Sequence, residues 1–310
     1  MITVGGFNTS VDKTMEMAEL RGGAVNRASS VHAYAGGKGL HVARAVGVLG
    51  ERATLVGVID RAHRAFFEDA LDAVGVAFQG IEVDCVRTCL TIREERGPRV
   101  TEVLEPGPVV DDGVARAVCD AFLAGARGSD VAVLSGSVPR GFGEDTYARL
   151  LGALPGTRCF VDASGDLLRT AADARPFLVK PNREELEVLV SGRIDGVVAA
   201  AQSARGLCAR GIEVVVVSLG AKGAVLASGG RVCHAVAPAR PPANTVGSGD
   251  CLLAGIAVGF ARGLAIDEVL RLGVACGTAN TMSVEHGYVK REHVDEVLPQ
   301  VTVTWLEAAV

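Results

Sequence analysis

Asn244-Thr245-Val246-Gly247-Ser248-Gly249-Asp250 runs straight into Cys251 to Arg262, a stretch whose apolar residues recur at helical spacing. Two glycines within three residues let the backbone turn tightly and bring bare N–H groups close to a ligand, and the following helix leaves its first N–H groups without partners. Such a turn can hold an anion. It also sets a carboxylate, Asp250, in the first helical turn, where a permanently bound phosphate would be repelled. The stretch suits transient charge. A group in transfer would meet the amides of Gly247, Ser248 and Gly249 while Asp250 accepts a proton from an attacking hydroxyl. A plain strand-to-helix turn whose Asp complements the helix dipole would read the same way, so the rest of the chain must decide. A Walker A loop is excluded because no lysine follows these glycines, and a dinucleotide fingerprint starting at Gly247 would need a glycine where Leu252 stands.

Upstream of this turn, strand-like and helix-like patterns alternate. Ile2 to Phe7 reads as a strand, Gly39 to Leu49 as a helix, Thr54 to Val58 as a strand and Ala65 to Val74 as a helix. Val76 to Val83 and Val86 to Ile92 are extended, and a polar turn over 94–99 leads to a further strand, Val100 to Leu104. The alternation resumes with helix Asp112 to Ala126, strand Val131 to Leu134, helix Glu144 to Leu154, strands Arg158 to Val161 and Phe177 to Lys180, and helices Arg183 to Val190 and Val197 to Arg210. Strand Val214 to Ser218 and two short strands near Ala224 to Ala227 and Val232 to Val236 precede helices after Asp250 and Asp267. This order predicts an α/β fold, a doubly wound and mostly parallel sheet flanked by helices, with ligands at the carboxyl ends of its strands. Segments 11–34 and 85–105 do not fit that sheet and are expected to form a small antiparallel β lid over a core made of 1–10, 35–84 and 106–310. A lid suits phosphoryl transfer, which must exclude water.

Of the 310 residues 49% are hydrophobic, enough for a large core, and the net charge is −5 with both signs interspersed. No general positive field is available for nucleic acid or an anionic membrane, so an anionic substrate has to be held by particular cations. Met1 to Phe7 lacks a basic leader, and the longest apolar run, Cys251 to Ala261, falls short of the roughly 20 residues of a membrane helix. A cytoplasmic protein is expected. The eight cysteines form no Cys-x-x-Cys pair; reduced thiols and no cysteine metal site are expected.

A second glycine-rich helix start, Ala35-Gly36-Gly37-Lys38-Gly39-Leu40-His41, also lacks the P-loop Ser/Thr after its lysine and suits close approach to a substrate. Asn8 and Asp12, beyond the first strand, can hydrogen-bond sugar hydroxyls. Glu185 follows Asn182 by three positions, which puts both on one helical face.

The stretch Gly36 to Arg44 resembles the N-terminal signature of the PfkB (ribokinase-like) carbohydrate kinases, and Asn244 to Asp250 resembles their C-terminal one. Between them Ser135-Gly136-Ser137-Val138-Pro139-Arg140-Gly141, Val179-Lys180-Pro181-Asn182-Arg183-Glu184-Glu185-Leu186 and Ser218-Leu219-Gly220-Ala221-Lys222-Gly223-Ala224 match in the family's order. The finer likeness is to the hexose-phosphate branch, which includes 1-phosphofructokinase and tagatose-6-phosphate kinase; Asn8 to Asp12, Val25-Asn26-Arg27 and Val86-Arg87-Thr88 carry it.

The resemblance implies ATP-dependent transfer to a hydroxyl of a ketohexose phosphate such as fructose 1-phosphate, fructose 6-phosphate or tagatose 6-phosphate. Asp250 is then the base, and the amides of Gly247, Ser248 and Gly249 form the anion hole. Asn8, Asp12, Gly37, Lys38, His41 and Ser137 face the sugar. Arg27 and Arg87 hold its phosphate, Arg27 across a homodimer formed through the lid. Lys180, Asn182 and Glu185 lie at the ATP phosphates, Glu185 reaching Mg²⁺ through water; Ser218, Gly220 and Gly223 line the nucleotide, and Asn280 lies near the adenine. The branch usually has Asn where His41 stands, which leaves the sugar's identity open. Alternatives are a kinase of an unphosphorylated sugar or nucleoside on the same fold, and a sugar-phosphate-binding regulator without turnover; no nucleic-acid or membrane partner is expected.

Overall fold

The computed structural model describes residues 1–97 and 99–307. In chain order the strands are β1 Ile2–Gly5, β2 Ser10–Met17, β3 Ser30–Gly36, β4 Ala53–Ile59, β5 Val76–Glu82, β6 Arg87–Glu94, β7 Val100–Leu104, β8 Val131–Ser135, β9 Cys159–Asp162, β10 Leu178–Val179, β11 Val214–Ser218, β12 Ala224–Ser228, β13 Arg231–Val236 and β14 Thr302–Leu306. The helices are α1 Lys38–Val48, α2 Arg64–Asp72, α3 Asp112–Ala126, α4 Thr146–Gly152, α5 Gly165–Asp173, α6 Arg183–Val190, α7 Gly196–Ala209, α8 Ser248–Ala261, α9 Ile266–Asn280 and α10 Arg291–Val297.

Ten strands form one sheet in the order β14-β13-β12-β11-β10-β9-β8-β1-β4-β5. Every pairing from β5 to β11 is parallel, and β12, β13 and β14 are added antiparallel. The central strands are apolar at almost every position because both faces are covered. Alternate residues serve opposite layers. Val131 and Val133 of β8 and Val214 and Val216 of β11 pack beneath α1, α2, α8, α9 and α10, whereas Ala132, Leu134, Val215 and Val217 pack against α3 to α7.

The chain leaves β1 for β4 on one side and later enters β8 on the other, so strand order reverses between β1 and β8, where open α/β sheets place their ligands. Two close contacts fix what stands there. A Cβ on Gly6 would lie 2.7 Å from the Gly39 Cα, so the chain leaving β1 touches the first turn of α1. Helix α8 is apolar on all sides and buried from Asp250 to Phe260, and a Cβ on Gly255 would come within 2.8 Å of Gly273 in α9.

The remaining four strands form a small sheet, β3-β2-β6-β7. Two antiparallel pairs, β2 with β3 and β6 with β7, lie side by side through a parallel pairing of β2 and β6. The chain passes between the two sheets through residues 6–9, the Gly36–Gly37 junction, residues 83–86 and residues 105–111.

The expected alternation is present, and α3, α6, β7 and β11 span the expected residues. Three elements were not foreseen: α5, α10 and β14. Helix α5 is short, opens on Gly165 and buries only Leu168, Ala171 and Ala172; in α10 only Val294 and Val297 are buried. Each has too few turns for a clear helical period. Strand β14 is an edge strand whose register comes from pairing with β13. Strand β10 has two residues where four were expected, as Pro181 has no N–H for the next rung. Among the described residues no helix is long and apolar enough to cross a membrane.

Candidate active site

Five parallel strands deliver polar residues to the switch point from their carboxyl ends: Asn8 after β1, Ser137 after β8, Asp162 closing β9, Lys180 after β10 and Ser218 closing β11. The N-terminal turns of α1 and α8 meet them there.

On one side, His41 of α1 lies between two carboxylates. Its Nδ1 is 2.9 Å from Asp250 Oδ2, and its Nε2 is 3.4 Å from Asp12 Oδ2, within ion-pair distance though not aligned as a hydrogen bond. Ser10 Oγ donates to Asp12 Oδ1 at 2.6 Å. Gly36 makes room for Asp12, since a Cβ there would overlap the carboxylate. Burial would push the imidazole down, but the hydrogen bond with Asp250 and the charges of Asp12 and Asp250 outweigh it and raise His41 to about 9. Burial also opposes the ionisation of Asp12, and His41 and Ser10 more than restore it, holding that carboxyl below the usual range.

On the other side one carboxylate lies between two ammonium groups. Asp162, 1% exposed, has Oδ2 3.2 Å from Lys180 Nζ and Oδ1 3.7 Å from Lys38 Nζ. Lys180 is 3% exposed, whereas the Lys38 side chain opens into the cleft at 43%. The Asp162 charge holds the Lys38 ammonium well above the ordinary lysine range, against the effect of burial. The sequence reading missed Asp162, although its place at the end of a buried parallel strand was a usable signal.

Asn182 and Glu185 are not paired on a helical face, as their spacing suggested. Asn182 is the N-cap of α6, its Oδ1 accepting from the Glu185 N–H at 2.8 Å while Glu185 Oε2 accepts from the Asn182 N–H at 2.9 Å. The pair is a capping box. Burial, and next the Asp162 charge after the Asn182 hydrogen bond, push Glu185 up. Glu185 thus lies near enough to Asp162 to feel its charge, and both Asp162 oxygens are buried without a hydrogen-bond donor. A divalent cation arriving with a nucleotide would fit there; among the described residues no group of three acidic, His or Cys side chains could hold one alone.

Between these clusters lies the Gly247 to Asp250 turn. Gly247 has φ 81°, and a Cβ on it would lie 2.5 Å from the Gly287 nitrogen; a Cβ on Gly249 would lie 3.5 Å from Lys180 Nζ. Gly247 is required by both space and conformation, whereas a side chain at Gly249 would meet Lys180 at ordinary contact distance. Asn280 holds the turn from behind. Its Nδ2 donates to Val246 O at 2.9 Å and Ser248 Oγ at 3.0 Å, and its Oδ1 accepts from the Gly287 N–H at 2.9 Å. Asn280 was expected beside the adenine, but it is fully buried and absent from the cleft wall. Its side chain is held at the turn because three backbone and hydroxyl groups there take it as partner.

A cavity of about 940 Å³ adjoins the turn, lined by Asn182, Ser218, Gly220 and Gly223 on one wall and by Thr245, Ser248 and Gly249 on the other. Gly223, at φ 78°, leaves no space for a Cβ against Ala235 O.

Asn8 Nδ2 donates to Ser137 Oγ at 3.0 Å, and Gly37, the N-cap of α1 at φ 100°, lies beside the Asn8 backbone. Arg87 opens β6 opposite Ser10, its Nη1 donating to Glu105 O at 3.3 Å and its Nε buried without a partner. Arg27 is not brought to the site within one chain; it is exposed in the β2–β3 connection, lining a recess with Arg21 and Arg96. Arg93, unforeseen, donates from β6 to Ala243 O at 2.8 Å and so ties the small sheet to the start of the turn.

A buried carboxylate at a helix N-terminus, a glycine-rich turn and a paired-lysine cluster beside a cleft of about 940 Å³ are the parts a phosphoryl-transfer site needs. The pfkB family carbohydrate kinase profile matches residues 6–288, and the chain belongs to that family. It is 35% identical to 1-phosphofructokinase of Rhodobacter capsulatus over 88% of each chain. It is 30% identical to tagatose-6-phosphate kinase of Staphylococcus epidermidis over 98% of this chain and 99% of that one. Among solved structures, phosphofructokinase-2 from Escherichia coli in complex with substrates and products superposes with a TM-score of 0.89 at 26% identity, covering 96% of this chain and 98% of the other.

Proposed function

We propose that the chain transfers the γ-phosphoryl group of ATP to a hydroxyl of a ketohexose phosphate. The carrying observation is that carboxylates and ammonium groups lie on opposite sides of one glycine turn, Asp250 at its end and Lys180 against Gly249. ATP fits the cleft walled by Asn182, Ser218, Gly220 and Gly223. Lys180 and Lys38 meet its phosphates, and the sugar lies between Asp12, Asn8 and Asp250. Asp250 takes the hydroxyl proton, and the N–H groups of Gly247, Ser248 and Gly249 take the charge spread over the moving group. Mg²⁺, held by Asp162 and by Glu185 through water, would neutralise charge on the nucleotide phosphates.

The relatives of both names act on sugars that already carry a phosphate, and Arg87 is the cation of this chain placed to hold one, beside Ser10 and two residues from the Asp12 register position. Arg27 joins it from a second copy. The small sheet is the lid, and its outer face supports a homodimer: Val31, Met15, Ile92, Leu90 and Val103 lie across it with exposed or half-buried side chains. Sedimentation velocity giving a monomer at assay concentrations ends the dimer reading. A cytoplasmic setting accords with the eight free cysteines.

ADP release over a panel of free and phosphorylated ketohexoses is the direct test. Arg87→Ala should raise KM for the phosphosugar at least tenfold and leave KM for ATP within twofold, about 1.4 kcal/mol of binding lost at one substrate only. Equal rises for both substrates, or turnover of free sugars alone, reject the phosphosugar reading.

A further inference from the structure

The geometry points to His41 as a positioning residue that, as an imidazolium, yokes the base Asp250 on α8 to Asp12 on β2, fixing the orientation and charge of the base against the lid. The inference rests on the reading of Asp250 as the base.

An imidazolium carries donors on opposite sides of a flat ring, and those sides face Asp250 at 2.9 Å and Asp12 at 3.4 Å. The ring cannot swing away. It packs on the backbone of Gly287, where a Cβ would overlap it. Two buried carboxylates on one ligand would hinder each other's ionisation, and a cation between them lets both stay charged at neutral pH, the state in which Asp250 can accept a proton. With His41 on Oδ2, Oδ1 is the oxygen left for the substrate. In the transfer the sugar O–H bond breaks and its proton passes to Asp250 Oδ1. The sugar oxygen bonds to the γ-phosphorus as the bond from that phosphorus to the β–γ bridging oxygen breaks, and ADP carries that electron pair away. His41 keeps its proton throughout and stays paired with Asp12.

The other groups facing the cluster do not supply this charge. His286, in the loop after α9, is pushed down to about 4 by burial and by the charge of His41, with Arg93 of β6 adding to the effect. The phenol of Tyr34 on β3 is pushed up by burial and, after its Thr14 bond, by Asp12, and Tyr288 is likewise raised by burial. Glu102 of β7 is raised by burial and by Asp12. Lys38, three positions before His41 on α1, is engaged chiefly by Asp162.

The test compares kcat/KM for the phosphosugar against pH, with ATP saturating, in the wild type and in His41→Asn, whose amide keeps a hydrogen bond to Asp250 without the charge. The wild type should lose activity through an alkaline limb near pH 9, where His41 deprotonates. His41→Asn should lack that limb, show its acid limb raised by a pH unit or more, and turn over about tenfold more slowly at pH 7 with KM for ATP unchanged. An unmoved pair of limbs in His41→Asn overturns the yoke. NMR titration of His41 in the free protein gives a readout independent of turnover. A His41 titrating above pH 8 in the wild type and at least one unit lower in Asp12→Asn and Asp250→Asn supports the yoke, and titration near 6.5 in all three overturns it while leaving Asp250 as base. Undiminished turnover in Asp250→Asn overturns the base reading instead, with the titration shift still in place.

Discussion

The two halves of the site are charge-inverted copies of one design. On one side of the Gly247 to Asp250 turn a cation, His41, lies between two carboxylates, Asp12 and Asp250; on the other a carboxylate, Asp162, lies between two cations, Lys38 and Lys180. The net charge of each triad suits its partner. In the proposed reaction the first, at −1 with His41 protonated, would attract a proton, and the second, at +1, would hold phosphates. The central ion in each offsets the charge of its neighbours, which eases the burial of Asp12 and Asp250 in the first and of Lys180 in the second, Lys38 staying partly exposed. They differ in what can titrate. The centre of the first is an imidazole, the side chain whose ordinary titration lies nearest neutral pH, and the centre of the second is a carboxylate.

The largest expected effect comes from breaking the carboxylate triad at its base. Asp250→Asn should fold, as judged by circular dichroism, and lose about 10²–10⁴-fold in turnover; a loss under threefold would remove the asymmetry assigned to the two triads. Next is the centre of the lysine triad. Asp162→Asn strands the buried Lys180 ammonium and should lower unfolding stability by about 3 kcal/mol in urea titrations, a cost that an unchanged midpoint would contradict.

Titration sharpens the contrast further. His41 rises from an ordinary 6.5 to about 9 on folding, so its contribution is full below pH 6.5 and is lost as pH climbs through 9. His286 falls from 6.5 to about 4, so its contribution is present above pH 6.5 and is lost as pH drops through 4. Stability from the two histidines therefore peaks near pH 6.5, and the alkaline decline, on the order of 1–3 kcal/mol, should vanish in His41→Asn. Denaturant midpoints from pH 5 to 10 check this, and a decline that survives in His41→Asn assigns it elsewhere. The smallest effect should follow at Asn280. Asn280→Ala leaves the buried Gly287 N–H without its partner and the Val246 carbonyl with Asn244 alone, and should cost about 1–3 kcal/mol of stability, with KM for ATP within twofold. A large rise in that KM would return Asn280 to the nucleotide.

Much of this site was legible in the sequence because the turns that build it are made of residues with few alternatives. Gly247 and Gly37 hold positive φ at helix starts, and Asp250 follows by three positions, so its place in the first turn was forced. What stayed hidden depends on long-range meeting. Lys38, Asp162 and Lys180 share no local pattern, and only the parallel order of β1, β8, β9 and β10 brings them together. Asn280 was misplaced for a related reason: a polar residue ending a helix can face the cleft or the turn behind it, and the unpaired groups of the turn decide. The Asn182–Glu185 spacing, by contrast, had a local answer in the capping box, and its usual sequence signature was there to be read.

The chain crosses between the two sheets four times, and each crossing touches the site: Asn8 on the first, Gly37 beside Lys38 on the second, the third leading to Arg87, and Gly107 against Asn8 on the fourth. At the third, Val86 N–H is pinned by the Asp60 carboxylate at 2.8 Å. A panel fixed at four points cannot slide or spin as one on a single linker can. Asp12 stands near that line of attachment, where the lever arm of any tilt is shortest, and the Arg93 tie to Ala243 shortens it further.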